Sequence, residues 1–356
     1  MVRRRLRYGW YTRNLRIALD ATYSLGRNLS GVGVYCREIL FGLAAAHRDA
    51  GFLWCYRPHR YLKSFAEPLP PNCRRRLLQG PLAPRSAALF HGLNQRLPRV
   101  GFRRRVTSFH DLFVLTGDYS TPGFQARFAA QAREAAAASD LILAVSQFTA
   151  DQVHSLLGVE RNRLRVIHHG VRVRAAEPAS REDIVLHVGA IQRRKNIARL
   201  IQAFESLPGN WRLVMAGSAG FGAEEILRRM EESPARPRMI VTGWIPNAEL
   251  GLLYARARVL AFPSLDEGFG IPVLEAMASG VPVVTSNCSA LPEVAGGAAL
   301  LVDPTCVDEI ASALHRLTSD EALRAEMIER GIERAARFTW DLAVEKTWKA
   351  YEEVLP

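Results

Sequence analysis

Four lysines, five cysteines and no Asp-x-Asp triplet set the first limits on this chain of 356 residues. Cys36, Cys55, Cys73, Cys288 and Cys306 are scattered, odd in number and without metal-ligand spacing. That excludes a disulfide scaffold and a zinc module, and reads as reduced thiols in a cytosolic protein. No apolar run approaches the roughly 20 residues that span a bilayer. The basic N-terminus has no apolar segment behind it, so no secretory signal is expected. The missing Asp-x-Asp removes the usual carboxylate arrangement for a metal-bound nucleotide. His168-His169 does not replace it, because neighbours on a strand point to opposite faces. No metal and no cofactor are therefore expected. Zinc-finger spacing and interleaved aromatic RNA-binding motifs are absent too, so nucleic acid is not an expected partner.

What the chain has in excess is arginine, 43 against the four lysines. Residues 1–170 hold 26 basic and 10 acidic side chains, a balance of +16, whereas the remainder carries −4. Clusters stand at Arg3-Arg4-Arg5, Arg74-Arg75-Arg76 and Arg103-Arg104-Arg105. A basic half beside a near-neutral one points to an anionic partner, such as a lipid surface or a lipid-phosphate acceptor. A coding bias towards arginine gives the same count with no partner at all, and both readings stand. Residues 1–14 mix arginines with Leu6, Tyr8, Trp10 and Tyr11. They read either as a membrane-surface segment or as a disordered leader.

At 48% hydrophobic and 23% charged residues the chain has a soluble globular composition, and it is long enough for two cored domains. Both halves alternate strand and helix, which argues for parallel sheets flanked by helices. In the first half, strands are expected at 15–20, 106–111, 141–146 and 165–170, with helices at 36–46 and 123–139. In the second, strands fall at 184–189, 211–216, 238–242, 258–262 and 281–285. Helices follow at 197–206, 221–232, 247–256, 272–279 and 307–317. Residues 171–182 make the best linker.

The densest motif is Glu267-Gly-Phe-Gly-Ile-Pro-Val-Leu-Glu275. An apolar strand precedes it, and Pro272 sits at the start of a helix that Gly280 stops. A glycine turn running into a helix N-terminus favours an anion. Glu267 and Glu275 add acceptors for hydroxyls on either side, so a phosphorylated, polyhydroxylated ligand fits. A nucleotide sugar is such a ligand. Gly189-Ala-Ile-Gln-Arg-Arg-Lys-Asn196 repeats the strand–turn–helix order, and Lys195 is the only lysine between residues 64 and 345. Arg194 and Lys195 could neutralise a diphosphate leaving group in place of a metal; a solvated basic loop is the plainer alternative. Ser30-Gly-Val-Gly33 reads as a loop near phosphate or as a simple tight turn. His110 ends a strand, where it either reaches a sugar hydroxyl or fills a structural role.

These blocks resemble glycosyltransferase family 4, the retaining, mannosyltransferase-like group 1 glycosyltransferases of GT-B architecture. The strongest stretch is Phe262 to Val284, continued by Leu291-Pro-Glu-Val-Ala-Gly296 and Leu301-Val-Asp-Pro304. Gly31-Val-Gly33, His110-Asp-Leu112, Val145-Ser146, His169-Gly-Val171, Arg194-Lys-Asn196 and Gly243-Trp-Ile-Pro246 are weaker members. The resemblance implies two Rossmann-like domains facing across a cleft. Residues 1–174 would form the acceptor-side domain, 183–337 the donor domain, and 338–356 a helix crossing back. It also implies roles: Glu275 on the ribose, Glu267 on the donor sugar, Arg194 and Lys195 on the diphosphate. Gly268, Phe269, Gly270 and Ile271 would contact the donor through their backbone, and Trp244 and Ile245 would edge the base. His110 would touch the transferred sugar, and Gly31 and Gly33 would approach the phosphates. Ala190 departs from the arginine of many members, and Gly297 from their acidic residue. The implied enzyme is cytoplasmic or peripheral on the inner membrane face. It would move a hexose, with a lean to mannose from GDP-mannose, onto a glycan or polyprenyl-linked acceptor in polysaccharide assembly. A nucleotide-sugar epimerase of the same architecture, or a non-catalytic sugar-nucleotide-binding scaffold, is the alternative.

Overall fold

The strands are mostly short aliphatic runs covered on both faces. In the computed structural model, which describes residues 15–26, 28–98, 100–172 and 180–355, they form two all-parallel sheets. The first contains β1 (Arg16–Asp20), β2 (Gly51–Tyr56), β3 (Cys73–Leu77), β4 (Leu89–Gly92), β5 (Arg105–Phe109), β6 (Leu141–Ala144) and β7 (Leu164–Val166). Its order is β3-β2-β1-β4-β5-β6-β7. The second contains β8 (Glu182–Val188), β9 (Arg212–Ala216), β10 (Met239–Gly243), β11 (Ala257–Phe262), β12 (Val283–Ser286) and β13 (Leu300–Val302). Its order is β10-β9-β8-β11-β12-β13. Six helices carry the cores and the site: α1 (Gly31–Ala46), α2 (Pro122–Ala138), α3 (Ile197–Phe204), α4 (Asn247–Arg256), α5 (Ile271–Ala278) and α6 (Trp340–Val354). The leader 1–14 and residues 173–179 of the expected linker lie outside the described residues.

Both sheets are doubly wound, and each reverses direction once. The reversal falls between β1 and β4 in the first sheet and between β8 and β11 in the second. Such switch points leave a crevice at the carboxyl ends of the strands. Ile17, Ala18 and Leu19 of β1, and Val185 and Leu186 of β8, are fully buried on consecutive positions. Consecutive burial is the mark of a parallel strand covered on both faces.

The chain divides into two compact units. One runs to Leu115, resumes over Pro122–Gly170 and takes the chain from Trp340 onwards; the other comprises Thr116–Thr121 and Val171–Thr339. Each has its own core. In the first, Ile39, Leu40 and Leu43 of α1 pack with Phe52 and Trp54 of β2. In the second, Leu200, Ile201 and Phe204 of α3 pack with Leu213 and Met215 of β9. Thr116–Thr121, expected within the first domain, belongs with the second, where the Thr116 hydroxyl donates to Asp266 Oδ2 at 2.8 Å.

Helix α6 is part of the first unit. Its Val344 presses on α1 so closely that a Cβ at Gly42 would stand 2.4 Å from Val344 Cγ2. A buried polar chain ties it to the sheet: Tyr351 Oη lies 2.6 Å from His91 Nδ1, His91 Nε2 2.8 Å from Ser108 Oγ, and Ser108 Oγ 2.7 Å from Tyr35 Oη. Helix α1 starts five residues earlier than expected, because Ser30 caps it by accepting the Gly33 N–H at 3.4 Å.

Burial holds the imidazole of His91 at about 3, and those of His110 and His187 at about 4, below the open-chain value of 6.5. Between roughly pH 6.5 and 4 the unfolded chain therefore binds protons that the folded chain refuses. Stability is complete above that window and falls as pH drops through it. The unfolding free energy from urea titrations should decline there, by about 1.4 kcal/mol per pH unit for each histidine involved. His91→Asn should flatten the slope, and an unchanged slope would remove His91 from the account.

Candidate active site

Two loops leave the second sheet at its switch point, one after β8 and one after β11. After β8 the chain turns at Gly189, and a Cβ at Gly217 would lie 1.9 Å from the Gly189 carbonyl oxygen. Only glycine at 217 lets the ends of β8 and β9 approach this closely. The turn then pairs with the one after β9, with Ile191 N–H donating to Ser218 and Gly220 N–H to Ile191 at 2.9 and 2.8 Å. A single 3-10 turn, Arg193–Lys195, leads to Asn196, which is left-handed at φ 59°. Its amide pins the turn by donating to the carbonyls of Pro263 at 3.0 Å and Pro304 at 2.6 Å.

The loop after β11 meets that turn from the other side. Leu265 N–H donates to the Arg194 carbonyl at 2.8 Å, and the Arg194 guanidinium donates back to the Asp266 carbonyl. Glu267 takes Arg194 Nη1 at 2.9 Å on one oxygen and Lys195 Nζ at 2.5 Å on the other. All three residues are more than nine-tenths buried, which removes the solvated-loop reading of Arg194 and Lys195. Arg193 does fit that reading, bridging Asp118 and Glu225 in solvent. Lys195 Nζ also sits 4.5 Å from the centroid of the Phe262 ring. Burial alone would raise the Glu267 carboxyl, but Arg194 and then Lys195 outweigh it and hold it at about 2. Glu267 is thus an ionised acceptor with no proton to give, and the trio keeps one net positive charge.

Past Glu267 the chain turns at Gly270 (φ 113°), where a Cβ would meet Leu291 Cδ2 at 2.8 Å. Phe269 is buried with its ring edge-on to Phe338 at 6.0 Å, and Gly268 joins it to Glu267. Ile271 opens α5, whose positive end faces the turn. Glu275 stands on the next turn of that helix, half-buried, and Tyr254 of α4 donates to its Oε2 at 3.0 Å. Trp244, 44% exposed, and Ile245 follow β10 on the same carboxyl edge of the sheet.

The residues expected in the first unit occupy different surroundings. His110 is buried after β5; its Nε2–H donates to the Leu93 carbonyl at 2.9 Å, and its ring packs on Tyr35 and His169 at 4.7 and 5.5 Å. Neutral in this setting, it presents Nδ1 as an acceptor only. Gly33 is helical and buried, with Tyr23 O only 2.9 Å from where a Cβ would be, and Gly31 is exposed at the head of α1. The reading of Gly31 and Gly33 as loop or tight turn is therefore corrected: Ser30 has already started the helix.

Three residues escaped the sequence reading. Tyr254 orients Glu275. His187, buried near the end of β8, donates Nδ1–H to the Ala261 carbonyl at 3.0 Å and stacks on Phe262 at 5.8 Å. Asp266 is buried, bound by Thr116, and pushed upwards by that burial. No periodic or motif signal announces where a buried polar atom points. Only the position of His187 near a strand's carboxyl end offered a hint. Among the described residues, no three His, Cys, Asp or Glu side chains gather as metal ligands.

Residues 173–334 match the family of glycosyl transferases group 1, and residues 29–174 match Glycosyltransferase Family 4. O-antigen chain mannosyltransferase B of Escherichia coli is 32% identical over 282 residues, 74% of either chain. The chain belongs to glycosyltransferase family 4. The serotype-specific mannosyltransferase WbdA of Escherichia coli is 30% identical over 222 residues, which are 57% of this chain and 27% of that longer one. Sucrose-phosphate synthase from Thermosynechococcus elongatus shares the fold at a TM-score of 0.79 and 22% identity, covering 96% of this chain and 99% of the other. This family 4 glycosyltransferase thus has the GT-B fold, two Rossmann-like α/β domains.

The buried trio makes the transferase sensitive to which partner is removed. Glu267→Gln leaves two buried cations without a counter-charge and should destabilise the second unit by about 3–5 kcal/mol. Lys195→Met leaves Glu267 with Arg194 and should cost distinctly less. Urea unfolding compares the two; equal losses would mean that the charge pairing is not what holds these loops.

Proposed function

We propose that this family 4 glycosyltransferase moves a hexosyl group, mannose from GDP-mannose, to a glycan or lipid-linked acceptor in cell-surface polysaccharide assembly. The reaction retains the anomeric configuration and needs no metal. The observation that carries this reading is the trio Arg194–Lys195–Glu267, net positive and buried, at the switch point where α5 also presents its positive end. The mannose assignment draws on the names of two relatives, mannosyltransferase B and WbdA.

Each residue then has a task. Arg194 and Lys195 stabilise the negative charge that grows on the departing diphosphate, while the N–H groups of Gly270 and Ile271 approach its oxygens. Glu267, fixed as an anion, accepts hydroxyls of the donor sugar. Glu275, oriented by Tyr254, accepts the ribose hydroxyls, and Trp244 and Ile245 edge the base. His110 Nδ1 accepts from the transferred sugar. No side chain of the trio can act as a general base towards the acceptor: two are cations, and the third, held at about 2, is too weak a base. The leaving phosphate itself takes the acceptor's proton as the new bond forms on the same face. No described helix is long and apolar enough to cross a membrane. A lipid-linked acceptor would be met at the inner membrane surface, through the basic first half of the chain.

Thermal stabilisation by GDP-, UDP-, ADP- and dTDP-sugars tests the donor. GDP-mannose should give the largest shift, and Glu275→Ala should abolish most of it. A larger shift with another nucleotide overturns the GDP assignment, and an unchanged shift in Glu275→Ala removes the ribose role. Transfer should be equally fast with and without EDTA; strict Mn²⁺ dependence would overturn the metal-free mechanism.

A further inference from the structure

The first unit carries an open cavity of about 500 Å³ to which the donor-site residues do not contribute. That volume lies within the range of small-molecule sites, about 300–1,000 Å³. The cavity stands at the carboxyl ends of β2 and β3. Arg57 follows the first of these strands and Leu78 the second, and Leu78 N–H donates to the Tyr56 carbonyl at 2.8 Å. Carboxyl ends of parallel strands are where open α/β sheets hold ligands.

Among the described residues, Arg57, Arg85 and Arg96 line this space with guanidinium groups, and Glu134 brings the one carboxylate. Their partners within the protein leave most of that charge uncompensated. Arg57 gives Nη2 to buried Asp20 at 3.3 Å, but its own buried Nε meets no acceptor. Arg96 donates to the Tyr23 phenol at 3.1 Å, a partner without charge. Arg85 is exposed and forms no ion pair among the described residues. A guanidinium has five N–H donors and accepts nothing, so these groups call for oxygen acceptors. They match the forked geometry of a phosphate or a carboxylate. Leu78 and Leu97 supply an apolar wall, suited to the C–H face of a sugar ring.

We propose that this cavity binds an oxyanion carried on a sugar, a phosphate or a carboxylate, with Arg85 and Arg96 as its principal donors. Only the identification of that ligand as the enzyme's acceptor rests on the transferase reading above; the binding itself does not. Titration calorimetry on the full chain tests it with glucose 1-phosphate, glucuronate, glucose and inorganic phosphate. One of the two charged sugars should bind, and the tighter one names the group recognised. Glucose and inorganic phosphate should each bind about tenfold more weakly or not at all. Arg85→Ala and Arg96→Gln should each weaken the charged sugar by about tenfold, the loss of one charge-assisted hydrogen bond. Both variants should bind GDP as the natural chain does, and Lys195→Ala should bind the charged sugar normally. Binding lost in Lys195→Ala but kept in both arginine variants would place the ligand in the donor site and overturn the proposal. Equal binding of glucose and the charged sugars, equal binding of inorganic phosphate, or no binding of either charged sugar would overturn it too. A chain that binds the charged sugar through Arg85 and Arg96 but binds no nucleotide would uphold this site while sinking the donor assignment.

Discussion

A single carboxylate, Glu267, shared between Arg194 and Lys195, holds together two loops that have almost no regular structure of their own. Burying any one of these charges alone would cost several kcal/mol, roughly, and their mutual attraction offsets this only when the geometry is tight. The geometry is tight because the backbone around it is over-determined. Asn196 is fixed to two proline carbonyls, Leu265 is tied to Arg194, and Gly217 gives way to the Gly189 carbonyl. The trio and the turns define one another.

The two cations are not duplicates. Arg194 uses its planar fork to join a backbone carbonyl and a carboxylate, so it braces the glycine loop as well as charging it. Lys195 offers a compact charge lying against the Phe262 ring. Phe262 in turn is stacked on His187, a neutral imidazole in this setting, so no second cation competes for the aromatic face. The positive centre is thus set in a floor of rings and strand ends.

Much of this was readable in the residues, and the limits have physical causes. The apolar strands of the second sheet and the glycine loop were legible because burial on both faces forces continuous hydrophobic runs. β3 was not, since Cys73-Arg-Arg-Arg-Leu77 has the composition of a charged surface. It is a strand because it pairs with β2 at the exposed edge of the sheet, where such side chains are tolerated. β13 is only three residues long, and the helices Gln147–Leu157 and Glu321–Ala336 went unread between stronger signals. In the site, Glu267, Glu275, Arg194 and Lys195 stood out by type and spacing. Tyr254, His187 and Asp266 did not, because each matters through the direction of one polar atom, which the fold decides.

Helix α6 ends the described chain, yet its Tyr351 completes the hydrogen-bonded chain through His91 and Ser108 to Tyr35 in the first core. During synthesis every strand of the first sheet, and then residues 171–339 of the second unit, therefore leave the ribosome before α6 can join the first core. Until α6 emerges, the α1 surface at Gly42 lacks Val344 and His91 lacks its phenol partner. The nascent chain thus holds every residue of the second unit before it holds α6 of the first, the reverse of the order in which the two begin.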